Sequence, residues 1–343
     1  MTLTSPAVLT PSGPVPGDAG DLGYERTIDR RDVHRSAVSE VFLTDARKVD
    51  DSRVVLAAVL PVAHAYYGDH TQPGRPVDVL AVLECARQSA TWAAHQLLGV
   101  PRDATFLVAD WRLHAAGGHW PAMPPEPARV QVDVAVTDRQ SRAGHVRRAR
   151  YAIGLRLDGA PLAVVDVSAG YVPREQADLV RRHRRSTSPP LSPALPPLPP
   201  GQPVDPPDVF RRDPANVVLL DAECTEDGTG GASRLLARLG TRPDHRGFYE
   251  HPQDHYPAMI LIEAARQAAL LATGGGWRSP RVVTGSAATF HRFAELDAPV
   301  LIETVPLPEK ERGSGMVAVA FHQGGHVVAQ VRARVEQFPR EER

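Results

Sequence analysis

Lysine and cysteine are almost missing from this chain of 343 residues, which has two of each. Because Cys85 and Cys224 have no CxxC spacing and cannot build a disulfide framework, the sequence predicts a reducing compartment and a cytoplasmic protein. With only Lys48 and Lys310, nearly all the positive charge is arginine, and 39 basic residues face 40 acidic ones. A net charge of −1 excludes a global positive field that would draw the chain to nucleic acid or to an anionic membrane.

Long apolar runs are also missing. No window of 18 residues is free of polar side chains, so no membrane span is predicted, and the N-terminus lacks the basic and apolar regions of a signal peptide. Residues 1–27 are rich in Pro, Gly, Ser and Thr without periodicity, which indicates a flexible tail. A chain of this length that is 42% hydrophobic predicts two globular domains rather than disorder.

Proline, by contrast, is concentrated near the middle of the chain. Ten of the nineteen residues in 189–207 are proline, a composition that favours extended polyproline II and cannot continue a helix or a central strand. Residues 176–206, basic at their start and then proline-rich, are therefore interpreted as a semi-rigid linker between two domains. Their PxxP spacing also fits an aromatic groove on a partner protein, and that alternative stays open.

The two halves on either side of this linker resemble each other. Val33-His34-Arg35 is matched by Val209-Phe210-Arg211 at a shift of 176 residues. VLAVLECARQSA, which starts at residue 79, is matched by AMILIEAARQAA at a shift of 179, and five of the seven positions from glutamate to the last alanine are identical. A duplicated domain is the economical explanation. The expected domains are residues 28–175 and 207–340.

Each half contains one strongly apolar stretch that begins with proline and ends at glycine. Pro76–Leu98 precedes Gly99 in the first half, and Pro257–Thr273 precedes the run Gly274–Gly276 in the second. Proline at a helix start and glycine after a helix end are typical positions for these residues. Because both stretches are apolar nearly all round, each predicted helix is expected to be buried on most faces.

Alternating apolar residues after each helix predict antiparallel strands. The alternation predicts turns at Asp158-Gly159 and Gly324-Gly325, and we interpret Trp111 and Trp277 as core or rim aromatics. The predicted fold class is α+β, in which the sheet of each half wraps around its own helix. The alternating residues are Val130, Val132, Val134 and Val136, then Tyr151, Ile153, Leu155 and Leu157, and in the second half Val317, Val319, Phe321, Val327, Val331 and Val335.

Both predicted helices carry the motif E-x-x-R-Q. Glu and Arg at positions i and i+3 share one helix face and can pair, and on a surface helix this would be an ordinary salt bridge. A buried ion pair is a poor way to stabilise an apolar core, because both charges lose their hydration. Its presence in both copies therefore favours a functional role. The motif residues are Glu84, Arg87 and Gln88 in the first helix and Glu263, Arg266 and Gln267 in the second.

Histidines precede both helices in loops. His70 lies before Glu84, and His251 and His255 lie before Glu263. A loop histidine can act as an acid, a base or a ligand, and it often has a purely structural role. The spacing of His251 and His255 resembles a zinc motif, but Pro252 and Pro257 bracket it and argue against the helical geometry of a metalloprotease. No metal is predicted.

The sequence around these motifs resembles known families. HTQPGRPVDVLAVLECARQSA resembles the active-site loop and central helix of the hotdog-fold β-hydroxyacyl-ACP dehydratases, although Val77-Asp78 stands where those enzymes have Pro-Gly. DHYPAMILIEAARQAA, together with the duplication, both E-x-x-R-Q motifs and the NVVLLD segment, resembles more closely the A-factor synthase family (AfsA-like proteins). Those proteins make γ-butyrolactone-type autoregulators. The resemblance covers residues 30–175 and 207–338.

The resemblance implies a double hotdog fold, an internal pseudo-dimer whose active sites form where the halves meet. It also implies transfer of a β-ketoacyl group from an acyl carrier protein to the hydroxyl of dihydroxyacetone phosphate, with no cofactor. Matched by position, the resemblance implies two catalytic pairs: Glu84 with Arg87, and Glu263 with Arg266. The residues expected to bind substrate are His70, His251, His255, Gln88 and Gln267.

Elementary chemistry assigns roles to these residue types. A carboxylate in apolar surroundings has a raised pKa and can take a proton from an alcohol, and an arginine can hold a phosphate by paired hydrogen bonds.

The arginine runs at 147–150 and 181–185 are interpreted as solvated charge, with docking of an acidic carrier protein as the alternative. Two other functions stay open: a hotdog thioesterase or dehydratase acting on an acyl carrier thioester, and a non-catalytic double hotdog that binds a small signal.

Overall fold

The fold consists of one long antiparallel sheet and two long helices. A computed structural model describes residues 22–182, 185, 187–197, 200–225, 233–274, 280–307 and 314–337. Residues 1–21 of the predicted tail, Gly275 and Gly276 of the predicted helix end, Trp277 and Lys310 lie outside the described residues. The elements of the first half are β1 (Leu43–Lys48), β2 (Arg53–Leu60), α1 (Val79–Gln96), β3 (Thr105–Ala115), β4 (Ala128–Arg142), β5 (His145–Leu157) and β6 (Ala160–Val172).

The second half repeats this order after a short helix, α2. The remaining elements are α2 (Arg174–Arg182), β7 (Leu219–Thr225), β8 (Arg234–Leu239), α3 (Ala258–Ala272), β9 (Arg281–Phe290), β10 (Leu301–Leu307), β11 (Ser314–Gln323) and β12 (His326–Gln337).

The twelve strands follow one another in the order β1-β2-β4-β5-β6-β3-β9-β12-β11-β10-β8-β7. From its outer edge to the centre, the first half runs β1-β2-β4-β5-β6-β3. From the opposite edge to the centre, the second half runs β7-β8-β10-β11-β12-β9, which is the same order of equivalent strands. Strands β3 and β9 join the halves by antiparallel pairing from Asp110 opposite Thr289 to His114 opposite Gly285. The duplication that the sequence repeats predict is present in the strand order.

Helices α1 and α3 lie against the sheet and are buried over nearly their whole length, as their composition predicts. Helix α1 begins at Val79 because Asp78 caps it: the Asp78 carboxylate accepts hydrogen bonds from the amides of Leu80 and Ala81 at 2.8 and 3.2 Å. Helix α3 begins directly after Pro257. The first helix is thus slightly shorter than the predicted stretch Pro76–Leu98.

The predicted alternation places apolar residues inward on β4, β5 and β11. Trp111 is buried, and Asp158 and Gly159 both have positive φ, as a two-residue hairpin turn requires. One buried position on β12 differs from the prediction, because Val327 is only half-buried and the inward residues begin at Val328. The pairing of β12 with β11 shifts register at this point, between Phe321 and His322 of β11.

The segment that was expected to be a linker contains ordered elements. Helix α2 ends at Arg182, and a short 3₁₀ turn covers Ser192–Ala194. The Ser192 amide donates to the carbonyl of Gln253 at 2.7 Å, and the Gln253 amide donates to Ser192 Oγ at 3.1 Å. This segment therefore holds the loop that precedes α3.

Candidate active site

The carboxylate of Glu84 lies at the centre of a hydrogen-bonded cluster on α1. Its Oε2 accepts from Arg87 Nε at 2.8 Å, and its Oε1 accepts from Arg87 Nη2 at 2.8 Å and Gln88 Nε2 at 2.6 Å. A second arginine, Arg35, reaches the same oxygen from the short turn before β1, with Nε at 3.1 Å. Glu84, Arg35, Arg87 and Gln88 are called the α1 cluster below.

Helix α3 carries the same arrangement around Glu263. Its Oε2 accepts from Arg266 Nε at 2.7 Å, and its Oε1 accepts from Arg266 Nη2 at 2.7 Å and Gln267 Nε2 at 2.5 Å. Arg211 completes it, with Nη2 2.9 Å and Nε 3.1 Å from Oε1. Glu263, Arg211, Arg266 and Gln267 are called the α3 cluster. The E-x-x-R pairs that the sequence predicts are present in both copies.

The glutamines of the motif tie each cluster to the backbone of the segment before the first strand of its half. Gln88 Oε1 accepts from the Phe42 amide at 2.9 Å, and its Nε2 donates to the Glu40 carbonyl at 2.8 Å. Gln267 makes the equivalent bonds to the Val218 amide and the Asn216 carbonyl, at 3.0 and 2.8 Å. Both glutamines are fully buried, so they fix the position of the carboxylate rather than face an open cavity.

Arg35 and Arg211 are members of the two clusters that the sequence analysis missed. Both stand at the end of the repeated tripeptide whose shift of 176 was used only to recognise the duplication. The available signal was an arginine at the same place in both copies. Arg35 and Arg211 lie 49 and 52 residues before the glutamates they bind, so these contacts could not be deduced from the spacing of residues on a helix.

The arginines determine the charge state of both glutamates. Burial alone would raise the pKa of Glu84, but Arg35 and Arg87 outweigh burial and lower its pKa to about 2. Arg211 and Arg266 do the same to Glu263, whose pKa is also about 2. The expectation that burial leaves these carboxyl groups with raised pKa values is wrong. At neutral pH they are anions that hold arginines in place, and the lowered pKa weakens them as bases toward an alcohol.

Each cluster is approached by a loop from the other half of the chain. Glu250 Oε1 accepts from the backbone amides of Ser36, at 2.6 Å, and Ala37, directly after Arg35. In the pseudo-equivalent contact, the Asp69 carboxylate accepts from the amides of Arg212 and Asp213, at 3.1 to 3.2 Å, directly after Arg211. The clusters therefore lie where the halves meet, as the resemblance implied.

The structure brings two of the three predicted histidines to these crossings. His251 follows Glu250, and its Nδ1 lies 2.6 Å from Glu250 Oε2. His70 follows Asp69 and is buried, and its Nδ1 has no hydrogen-bond partner among the described residues. Burial together with the nearby charges of Arg211 and Arg266 lowers its pKa despite the opposing charge of Asp78. His255 Nδ1 instead lies 2.6 Å from Asp254, whose carboxylate also binds Arg181.

Metal and membrane sites were sought across the described ranges. In that part of the chain, no group of three or more His, Cys, Asp or Glu side chains is placed to hold a metal ion. No helix within the described residues is long and apolar enough to cross a membrane.

Comparison with known proteins identifies the family. The family model described as the A-factor biosynthesis hotdog domain matches residues 19–173 and again residues 196–339. The chain belongs to this A-factor biosynthesis hotdog family. Each matched segment contains one of the two clusters, so the family domain occurs twice and carries its E-x-x-R-Q motif both times. The predicted double hotdog fold is confirmed.

Relatives of known name cover most of the chain. A protein from Streptomyces virginiae named 2-oxo-3-(phosphooxy)propyl 3-oxoalkanoate synthase is 31% identical over 303 residues, which are 87% of this chain and 93% of the relative. A protein of the same name from Streptomyces griseus subsp. griseus is 29% identical over 337 residues, covering 92% of this chain and 93% of the relative.

Among solved structures, an oleoyl thioesterase from Lactobacillus plantarum has a TM-score of 0.51 at 11% sequence identity, covering 85% of this chain and 99% of the other. At this identity the similarity concerns the fold of the A-factor biosynthesis hotdog family, and the fold alone does not determine the reaction.

Proposed function

We propose that this protein is an acyltransferase that moves a β-ketoacyl group from an acyl carrier protein to the hydroxyl of dihydroxyacetone phosphate. The proposed product is a 2-oxo-3-(phosphooxy)propyl 3-oxoalkanoate, the compound in the name of the relatives. The observation that carries the proposal is the pair of arginines on each buried glutamate, in a chain that matches those relatives over most of its length.

Arginine can bind the polar groups of both proposed substrates. Its planar guanidinium forms paired hydrogen bonds with a phosphate or with the carbonyl oxygens of a β-ketoacyl group. Each glutamate fixes two guanidinium groups at once, so the donors are oriented before a substrate arrives. A substrate held in this way loses little further entropy when its hydroxyl is aligned for attack.

The proposed transfer is a single exchange at the thioester carbonyl. The hydroxyl oxygen of the acceptor attacks the carbonyl carbon and forms the new C–O bond, and the C–S bond breaks. The hydroxyl proton passes to a base and then to the departing thiolate, so that the carrier leaves as a free thiol. Neither a covalent enzyme intermediate nor an oxidant is needed.

The base in this scheme is a histidine. Glu84 and Glu263 do not serve, because the charges of their arginines outweigh burial and hold their pKa values near 2. The candidates are His251, which follows the Glu250 that binds the amides directly after Arg35, and His70, which follows the Asp69 that binds the amides directly after Arg211. An imidazole is a competent base at the pH of the cytoplasm, where we propose that the reaction takes place.

The proposed acyl donor is a carrier-protein thioester. The hairpin between β4 and β5 presents the exposed arginines Arg139, Arg142 and Arg148, and no ion pair is found for them in the described part of the chain. Such a basic surface complements an acidic carrier protein.

Mass spectrometry tests the proposal directly. The full chain is incubated with a β-ketoacyl carrier protein and dihydroxyacetone phosphate, and we expect a phosphorylated ester or its cyclised butenolide together with the free carrier thiol. Arg87→Lys serves as the matched variant and should reduce product, because lysine keeps the charge but lacks the planar fork. Free β-keto acid as the sole product would contradict the proposal and favour a thioesterase. Tight lactone binding without turnover would favour a non-catalytic binding module.

A further inference from the structure

The two clusters share their hydrogen bonds but differ in access to solvent. In the α1 cluster the side chains of Arg35 and Arg87 are 15% and 24% exposed. In the α3 cluster the side chains of Arg211 and Arg266 are 0% and 5% exposed. The arginine side chains of the α1 cluster are therefore the more accessible pair.

The crossing loops differ at the position that lies over Arg211. Tyr66 lies over Arg211, with its ring centroid 4.4 Å from the guanidinium carbon, and its carbonyl accepts from Arg211 Nη1 at 2.8 Å. The two loops align at a shift of 181, which pairs Asp69-His70 with Glu250-His251 and pairs Tyr66 with Gly247. Gly247 has no side chain, and an added Cβ there would lie 2.9 Å from the Cβ of Tyr66, so the matched position cannot carry a second aromatic ring in this arrangement.

Two more pairs of matched positions differ in the same direction. The residue before Arg211 is the buried Phe210, whereas the residue before Arg35 is the half-buried, polar His34. The residue capping α1 is Asp78, whose carboxylate lies 4.0 Å from Arg211, whereas the matching cap of α3 is the uncharged Pro257. Arg211 therefore has an additional acid, Asp78, at 4.0 Å and an apolar neighbour in the chain, Phe210, while the acids Glu250 and Asp69 occupy matched positions beside the two clusters.

These differences matter for a ligand with a doubly charged phosphate. Moving such an anion into a closed, water-free site costs far more than its hydrogen bonds return unless the charges are fully matched. Near the α3 cluster, Tyr66 Oη and His70 Nδ1 have no hydrogen-bond partner in the described part of the chain, and both belong to uncharged groups. A half-open pair of arginines is the better site for the phosphate.

We propose that the phosphorylated acceptor binds at the α1 cluster, with Arg35 and Arg87 on its phosphate and His251 taking the proton of its attacking hydroxyl. The α3 cluster then serves as a closed scaffold that holds the second half in place. This inference rests on the proposed function, and it names the one of the two clusters at which the acceptor is used.

The geometry of His251 fits the role of base. Its Nδ1 donates to Glu250 Oε2 at 2.6 Å, which leaves Nε2 as the nitrogen whose lone pair can accept a proton. That Nε2 now accepts a hydrogen bond from Gln253 Nε2 at 2.7 Å, a bond that the acceptor hydroxyl would replace. Glu250 is itself fixed by the amides of Ser36 and Ala37, so the imidazole is oriented beside Arg35. His251 is 37% exposed in its side chain, whereas His70 is buried.

Matched arginine variants test the location. For the full chain, the phosphate preference is defined as kcat/KM for dihydroxyacetone phosphate divided by kcat/KM for dihydroxyacetone. Arg35→Lys should lower this preference by at least about tenfold, because the forked contact is lost. Arg211→Lys should leave the preference within about threefold of wild type while lowering the unfolding midpoint. If Arg211→Lys does not fold, Tyr66→Leu, which removes the ring that lies over the Arg211 guanidinium, is the milder probe of the α3 cluster, with the same expectation.

Histidine variants test the base. His251→Asn keeps a donor for Glu250 but removes Nε2, and it should lower kcat by about a hundredfold with little change in KM for the acceptor. His70→Asn should have a smaller effect on kcat. A larger loss with His70→Asn, or an equal loss of phosphate preference in Arg211→Lys and Arg35→Lys, would overturn the inference.

A binding measurement separates this inference from the proposed function. Calorimetric titration of dihydroxyacetone phosphate into the protein without acyl donor should show binding to wild type that Arg35→Lys weakens. Phosphate preference in wild type that is unchanged in Arg35→Lys refutes the location but leaves the acyltransferase intact. Absence of both binding and turnover of the phosphorylated acceptor refutes the two together.

Discussion

Arg211 Nη2 lies 2.9 Å from Glu263 Oε1, and neither side chain is reached by solvent, although the two residues are 52 positions apart in the chain. The contact joins the short turn before β7 to the middle of α3. Its counterpart, Arg35 with Glu84, makes the same connection in the first half with a partly exposed arginine. The pair in the second half is therefore the more sensitive to substitution.

Arg211→Gln should lower the free energy of unfolding by about 3–5 kcal/mol, because it leaves the carboxylate of Glu263 short of a partner inside the core. Arg35→Gln should cost clearly less, because water can replace part of the lost contact. Arg234→Gln, which breaks an exposed pair with Glu303, is the control and should cost under about 1 kcal/mol. Denaturant unfolding followed by circular dichroism measures all three, and equal losses for Arg211→Gln and Arg35→Gln would contradict the difference in burial.

Stability should depend on pH on the acidic side. Burial alone would raise the pKa of Glu84 and Glu263 above the ordinary value of 4.5, but their arginines lower it to about 2 in the folded protein. A lowered pKa gives stability that is present above pH 4.5 and is lost as the pH falls toward 2. Each glutamate contributes roughly 3 kcal/mol to this dependence.

Urea unfolding at a series of pH values between 7 and 3 checks this expectation. The free energy of unfolding should fall steadily below about pH 4.5, and in Glu263→Gln the slope should be shallower than in wild type. An identical slope in the variant would show that Glu263 is not held as an anion.

Gln267→Leu should destabilise the second half although it keeps the size of the side chain. The variant leaves the Val218 amide and the Asn216 carbonyl without their buried partner, at a cost of roughly 2–4 kcal/mol. The exposed Gln330→Leu serves as the control and should change the unfolding midpoint very little. Equal midpoints for the two variants would mean that Gln267 does not anchor the cluster.

Much of this fold could be predicted from the sequence because the domain is duplicated and its sequence pattern occurs in both halves. Both helices, the antiparallel strands and the turn at Asp158-Gly159 follow from local periodicity, and the shift between copies reveals the duplication. The start of α1 at Val79 differs from the predicted Pro76 because the Asp78 cap competes with proline as a start signal. Periodicity sets the middle of an element better than its ends.

The candidate site was only half predictable. Glu84 and Arg87 share a helix face, so their pairing follows from spacing, whereas the contact of Arg35 depends on how the chain before β1 packs across α1. The lowered pKa of the glutamates depends on that second arginine, since burial by itself acts in the opposite direction. The difference in access between the two clusters also depends on tertiary contacts, such as the Tyr66 ring that lies over Arg211.

Glu84→Gln should give a folded protein that makes far less product. The substituted glutamine would keep the shape of the side chain but not the charge that fixes Arg35 and Arg87, so the arginine donors would lose their orientation. We expect kcat/KM for dihydroxyacetone phosphate to fall by about tenfold to a hundredfold, with a near-native circular dichroism spectrum. If Glu84→Gln and Glu263→Gln were both fully active, the carboxylates would be purely structural.

The most direct measurement compares thiol release from a β-ketoacyl carrier protein with three acceptors: dihydroxyacetone phosphate, dihydroxyacetone and water alone. An arginine clamp on the phosphate orients the attacking hydroxyl, so the phosphorylated acceptor should raise both turnover and apparent affinity, and each thiol released should match one molecule of phosphorylated ester. Dihydroxyacetone should release thiol far more slowly. Release of free β-keto acid at the same rate with and without acceptor would contradict the account, because the protein would then be a thioesterase.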